Sequence, residues 1–129
     1  MLVLAHGCFD VLHIGHLRHL EAASALGNIL VVSITASEYI RKPGRPIFSD
    51  EERRDMLLAL RCVDQVYISH ELTGVGAIKK FKPSFYCKGP DYSKTGVDRR
   101  EMDACKEVKA LIVYTDTQKY SSSDLVQYV

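Results

Sequence analysis

Hydrophobic positions along the chain fall into two kinds of segment that take turns. Residues 2–5, 29–34, 65–68, 84–87 and 111–114 are short apolar runs. They are continuous rather than alternating, the pattern of strands covered on both faces. Between them lie stretches with helical spacing. In 14–26, Leu17, Leu20 and Ser24 share a face, and Gly27 closes the run. "SDEERRDMLLALR", residues 49–61, opens on a capping box of Ser49 and Glu52 and carries acids in its first turn. Residues 73–81 and 98–108 are weaker helices. The chain finishes on "SSSDLVQYV", again opened by Ser and Asp. This alternation predicts one α/β domain over residues 1–129, a five-stranded parallel sheet flanked by helices and joined by right-handed crossovers. Ligands of such sheets sit beyond the carboxyl ends of the strands, where strand order reverses. The first strand is usually central, so the loop after it, "HGCFDVLHIGH", is expected to line the site.

That loop is built for an anion. Gly7 lets the chain turn sharply, and Gly15 removes a side chain where a ligand could approach the backbone. Amides at a helix start point outward at the positive end of the dipole. His13 and His16 add ring N–H donors, and a neutral imidazole donates without a permanent charge. Two histidines three apart could instead bind zinc, although no third ligand stands at motif spacing, or simply lie on the surface. Asp10 either caps the turn or takes part in metal or substrate binding. His6 and His19 flank the loop without an assigned role.

Composition narrows the partners. The 129 residues are 47% hydrophobic and 26% charged, with net charge +1, which argues against a nucleic-acid or anionic-membrane coat. The basic residues are local: Arg41, Lys42 and Arg45; Arg53 and Arg54; Lys79, Lys80 and Lys82; Arg99 and Arg100. Such clusters suit a small anionic ligand, or only solubility. Cys8, Cys62, Cys87 and Cys105 stand far apart with no C-x-x-C, so a disulfide scaffold or zinc site is not expected and a reducing compartment is. The opening "MLVLA" is too short for a signal peptide, and no apolar run reaches membrane-spanning length. The expected location is the cytoplasm.

"GCFDVLHIGH" resembles the G-x-F-D-x-x-H-x-G-H signature of the cytidylyltransferase-like nucleotidyltransferases, agreeing at Gly7, Phe9, Asp10, His13, Gly15 and His16. The string "HIGH" also occurs in class I aminoacyl-tRNA synthetases, but this chain is too short for one and has no K-M-S-K-S segment. The resemblance covers nearly the whole chain. "GRPIFSDEERRDMLLALRCVDQV" and "KPSFYCKGPDY" look like segments of bacterial heptose-1-phosphate adenylyltransferases, and "YSSSDLV" occupies the place of their S-T-T motif. Glycerol-3-phosphate cytidylyltransferases share the architecture but differ more in the lysine-glycine-aspartate loop.

The resemblance implies a Rossmann-like fold and a reaction without a covalent enzyme intermediate. A substrate phosphate attacks the α-phosphorus of a nucleoside triphosphate, and pyrophosphate leaves. His13, His16, Lys42 and Arg53 are the implied catalytic set, with Arg41 or Arg45 as substitutes for Lys42. Arg53 shares a helix face with Met56, Leu57 and Leu60, so it wants a buried or ligand anion; the alternative is a salt bridge to a nearby acid. Gly7, Cys8, Phe9, Asp10, Gly15, Lys88, Gly89, Asp91, Ser121, Ser122 and Ser123 are the implied nucleotide-binding set. Lys88 to Asp91 can equally be a Gly-Pro turn. Ser121 and Asp124 can be a capping box as well as a phosphate site, and Asp124 brings negative charge close to it. Mg²⁺ is expected with the triphosphate, with no confident protein ligand beyond a possible Asp10.

The leading expectation is transfer of a nucleotidyl group, ATP favoured, to a heptose-1-phosphate-like phosphorylated sugar or polyol. A CTP-dependent glycerol-3-phosphate-type enzyme comes second, and a FAD-synthetase-like or coenzyme-forming adenylyltransferase third. The rivals from other classes are a non-catalytic nucleotide sensor and a zinc protein. Members of the family are commonly homodimers, and Val75, Ile78 and Phe81 are the apolar residues that hint at an interface.

Overall fold

The five apolar runs become the five strands of one sheet in the computed structural model, which describes residues 1–89 and 96–115. In chain order the elements are β1 (Leu2–Gly7), α1 (Ile14–Ser24), β2 (Ile29–Thr35), a 3-10 turn (Ser37–Tyr39), α2 (Asp50–Leu58), β3 (Gln65–Ser69), α3 (Val75–Phe81), β4 (Phe85–Lys88), α4 (Arg99–Val108) and β5 (Leu111–Tyr114). The spatial order is β3-β2-β1-β4-β5, and every pairing is parallel. The chain steps outward from β1 to β3, then crosses back to lay β4 on the other side of β1. Strand order therefore reverses between β1 and β4, and the crevice belongs at their carboxyl ends, beside Gly7 and Lys88.

Continuous apolarity in the strands is explained by two cores. Val3 and Ala5 pack with Leu30, Val32, Ile34 and Cys87 under Leu20 and Ala23 of α1 and Leu57 of α2. On the opposite face Leu4, Val31 and Tyr86 pack under Ala77 and Ile78 of α3 and Ala104 and Cys105 of α4. Alternate side chains of each inner strand feed different layers, so both parities must be apolar.

Several boundaries move. β1 reaches Gly7 and β4 reaches Lys88, so both approach the crevice as strand rather than loop. α1 ends at Ser24 with Ala25 as its cap; Gly27 lies in the following turn, where a Cβ would stand 2.5 Å from the Met1 carbonyl. α2 does open on the Ser49–Glu52 capping box, but it ends at Leu58. Met56 is exposed, unlike the buried Arg53 and Leu57 of the same helix. Val75, Ile78 and Phe81, read as hints of an interface, instead pack into the core layer of α3 and α4. The closing segment "SSSDLVQYV" lies outside the described residues. Among the described residues, no helix is long and apolar enough to cross a membrane.

Candidate active site

The turn after β1 is set by Phe9. Its φ is 48°, in the left-handed region that a bulky residue rarely enters. The strain costs about 1–2 kcal/mol. Burying the ring, which is 7% exposed, returns roughly 2–3 kcal/mol, so burial wins. The ring turns back under Gly7, where a Cβ would meet it at 3.0 Å, and lies against His16 at 5.4 Å between centroids. Gly7 is glycine here because Phe9 fills the space a side chain would need.

His13 and His16 open α1 as a reciprocal capping box. His13 is the N-cap, and its Nδ1 accepts from the amides of Gly15 at 3.1 Å and His16 at 3.4 Å. His16 stands at N3, and its Nδ1 accepts from the amide of His13 at 3.3 Å. The rings stack 3.9 Å apart at 24°. An imidazole that accepts at Nδ1 carries its proton on Nε2, so the box fixes the tautomer of both rings. In each ring Nε2 then lies on the edge across from the backbone. The amides of Gly15 and His16, expected to bind an anion directly, are spent on His13. Their polarity is relayed through the imidazole, whose Nε2–H becomes a stronger donor because Nδ1 accepts. The pKa of His16 is pushed down to about 4, first by burial and then by the charges of His13, His19, Arg45 and Lys42. His16 is therefore a neutral donor at pH 7.

Asp10 and Arg53 brace this loop. Asp10 is buried and accepts from the amides of Ile47 at 2.8 Å and Phe48 at 3.0 Å, and from Arg45 Nε. Burial opposes its charge, but those amides and the Arg45 guanidinium hold its carboxyl below the usual range. Asp10 thus latches residues 45–48 to the β1 loop and fixes Arg45 beside it. Arg53, 1% exposed, donates Nη1 to the carbonyls of Cys8 and Thr35 at 2.9 and 2.7 Å. Its Nη2 meets Asp50 and Ser37 Oγ. This is the salt-bridge alternative: the guanidinium clamps the ends of β1 and β2 to α2. Cys8 enters through its carbonyl. Lys42 is exposed on the loop, and its charge reaches His16. Arg41 turns back to the Glu38 carbonyl.

At the other side of the crevice Lys88 closes β4. It is 5% exposed, its Nζ donates to the His6 carbonyl at 3.3 Å, and it lies 3.6 Å from Glu101. A Cβ at Gly89 would meet no atom within 4 Å, so protein packing gives no reason for glycine there. Asp91, Ser121, Ser122 and Ser123 lie outside the described residues, as does Asp124.

A family model described as Cytidylyltransferase-like matches residues 4–128, nearly the whole of this chain and both sides of the crevice. The chain belongs to the cytidylyltransferase-like family. Among its relatives are the bifunctional protein HldE of Helicobacter pylori strain J99, 37% identical over 99% of this chain and 27% of that protein, and HldE of Pelobacter propionicus, 38% identical over 78% of this chain and 21% of that protein. The chain spans about a fifth to a quarter of the length of these relatives. The lipopolysaccharide core biosynthesis protein of Thermoplasma volcanium superimposes with a TM-score of 0.74 at 28% identity, covering 94% of this chain and 98% of that one. A pantothenate synthetase from Thermus thermophilus, at 17% identity and a TM-score of 0.59, covering 96% of this chain and 60% of that one, shares the fold.

The family loop accounts for only part of what the crevice contains. His6 Nδ1 meets Ser33 Oγ at 2.9 Å, and His19 Nδ1 meets Thr115 Oγ1 at 2.6 Å. Burial and the charge of Lys88 push both imidazoles down to about 4. Neither histidine, nor Thr115 nor Glu101, carried a sequence signal, because each partner comes from a distant strand or helix. Among the described residues no group of three His, Cys, Asp or Glu could hold a metal ion. Both Asp10 oxygens are already engaged. The described side chains do not fit a protein-held Mg²⁺. The four cysteines are free thiols.

Proposed function

We propose that this chain is a nucleotidyltransferase that moves a nucleotidyl group, ATP favoured, onto a phosphorylated sugar or polyol resembling heptose 1-phosphate. The observation that carries this reading is the histidine capping box at the switch point of the sheet, which spends Nδ1 of both rings on the backbone and turns their Nε2 edges to the same side of the helix start. Family membership and the HldE relatives support it. In the proposed step a phosphate oxygen of the acceptor bonds to the α-phosphorus. The bond from that phosphorus to the bridging oxygen breaks, and pyrophosphate departs with the electron pair. Catalysis rests on alignment and on donors that meet charge as it grows. His13 and His16 donate to phosphate oxygens, Lys42 and Arg45 supply positive charge from the loop, and Lys88 does so from β4. Arg53 acts through the loop as a positioning residue. Mg²⁺ carried by the triphosphate itself, not held by the described side chains, would add charge neutralisation.

The deciding experiment is a panel of nucleoside triphosphates and phosphorylated acceptors with pyrophosphate detection. ATP with a sugar 1-phosphate is expected to turn over. Strong turnover with CTP and none with ATP would move the assignment to a cytidylyltransferase acting on a glycerol-3-phosphate-type acceptor. Nucleotide binding without pyrophosphate release from any pair would leave a sensor. A homodimer accompanies this reading, with the exposed Phe48, Met56 and Leu58 as apolar surface for it to cover. Sedimentation as a monomer at assay concentration removes it.

A further inference from the structure

The crevice side of β4 contains a buried charge pair with an unusual set of ties. Glu101, in the first turn of α4, is 5% exposed. Its Oε2 accepts the Gly74 amide at 2.9 Å, and its Oε1 accepts the Tyr86 hydroxyl at 2.6 Å and faces Lys88 Nζ at 3.6 Å. Gly74 caps α3, and a Cβ there would stand 2.6 Å from the Tyr86 hydroxyl and 3.1 Å from the His6 ring. One carboxylate thus joins the start of α3, two residues of β4 and the first turn of α4. Breaking a buried pair costs far more than a surface pair contributes, because it strands a charge away from water. So costly a construction is not needed for packing, since a hydrophobic pair would fill the same space.

We propose that Glu101 is a positioning residue for Lys88, fixing its ammonium at the carboxyl edge between β1 and β4 for an anionic nucleotide. This rests on the reading of Lys88 as part of the nucleotide site. Burial pulls the Lys88 pKa below the usual lysine range, and Glu101 works against that pull. The other titratable groups around Lys88 are His6 on β1, Cys8 in the loop, His19 on α1, Tyr86 on β4, Asp98 before α4 and Cys105 on α4. Cys8 and Asp98 favour the ammonium more weakly than Glu101 does. Without the Glu101 charge, the ammonium loses its main counter-ion and gives up its proton at lower pH.

The test is calorimetric titration of the whole chain with ATP and with CTP from pH 7 to pH 10. Glu101→Gln is expected to weaken the better-bound nucleotide about tenfold at pH 7 and to bring its alkaline loss of affinity about one pH unit lower. Glu101→Asp is expected to recover part of both. In a Lys88→Ala background Glu101→Gln should add nothing, which a merely structural role for Glu101 would not predict. Tyr86→Phe frees one tie on Glu101 more gently and should shift the alkaline limb the same way by less; it serves if Glu101→Gln does not fold. Unchanged affinity and limb in a folded Glu101→Gln or, failing that, in Tyr86→Phe overturns the inference while leaving Lys88 in the site. Unchanged affinity in Lys88→Ala overturns the placement of Lys88, and the inference with it.

Discussion

At the scale of single residues, His13 and His16 do two jobs with two different nitrogens. Nδ1 caps the helix and, in the proposed reaction, Nε2 meets phosphate, so the jobs can be separated by mutation. His13→Asn keeps a side-chain oxygen at the N-cap, a position asparagine fills well. It should hold stability close to wild type while turnover falls about a hundredfold or more through the lost donor. His13→Ala should lose about 1 kcal/mol of stability besides. Thermal melts alongside steady-state rates decide this, and a His13→Asn enzyme with wild-type turnover would remove the ring from the chemistry. For His16→Ala, kcat should drop much more than nucleotide affinity, because the proposed bond strengthens in the transition state. Equal small effects on both would favour a sensor.

At the scale of elements, α2 is held to the sheet less by its apolar face than by Arg53. Its mean composition is polar, and of its nine residues only Arg53 and Leu57 are buried. Three acceptors outside the helix, in the loop after β1, on β2 and in the 3-10 turn, and Asp50 of α2 itself meet one guanidinium fork. A lysine is a point charge on a flexible stem and cannot serve that fork. Arg53→Lys should therefore cost roughly 2–4 kcal/mol in urea unfolding, somewhat less than removing one partner of a buried pair outright because the charge is kept. Activity should fall with it because the Cys8 carbonyl loses its tie. A change below half that size would make the clamp incidental. The ends of α3 and α4 point the other way: Lys82 and Lys109 cap them with φ of 44° and 62°. Lys109→Gly relieves that conformation and should raise stability by about 0.5–1 kcal/mol, the relief exceeding glycine's larger chain entropy. Loss of stability in that variant would show the lysine contacts matter more than its backbone.

At the scale of the whole molecule, three imidazoles sit at the carboxyl edge with pKa values pushed down to about 4: His6, His16 and His19. The unfolded chain binds protons at these sites near pH 6.5 while the native protein does not, until about pH 4. The unfolded state then carries more protons, so stability rises with pH across that window and is lost as pH falls from about 6.5 toward about 4. Urea midpoints measured at pH 7 and pH 5 should drop clearly. A flat midpoint across that interval would mean that the three rings titrate as they do in water. Acid sensitivity of this kind follows from drawing neutral donors together beside Lys88, Lys42 and Arg45.

The alternation of apolar runs with helical spacing determined the parallel sheet, because strands buried on both faces leave no polar parity; that the first strand is central was expected from the habit of such sheets and is decided by the strand order. The spacing of Gly7, Phe9, Asp10, His13, Gly15 and His16 determined which family the chain belongs to and where its candidate site was to be sought. The Ser49–Glu52 cap was legible for the same reason: its partners are three residues apart. Contacts between residues distant in sequence were not legible. Asp10 meeting Ile47, Arg53 meeting Cys8 and Thr35, and Glu101 meeting Gly74, Tyr86 and Lys88 arise only when crossovers bring separate elements to one edge. A local pattern fixes what a residue offers as donor, acceptor or charge. Tertiary packing decides which partner consumes that offer, and so whether Arg53 braces the loop from within or faces a ligand.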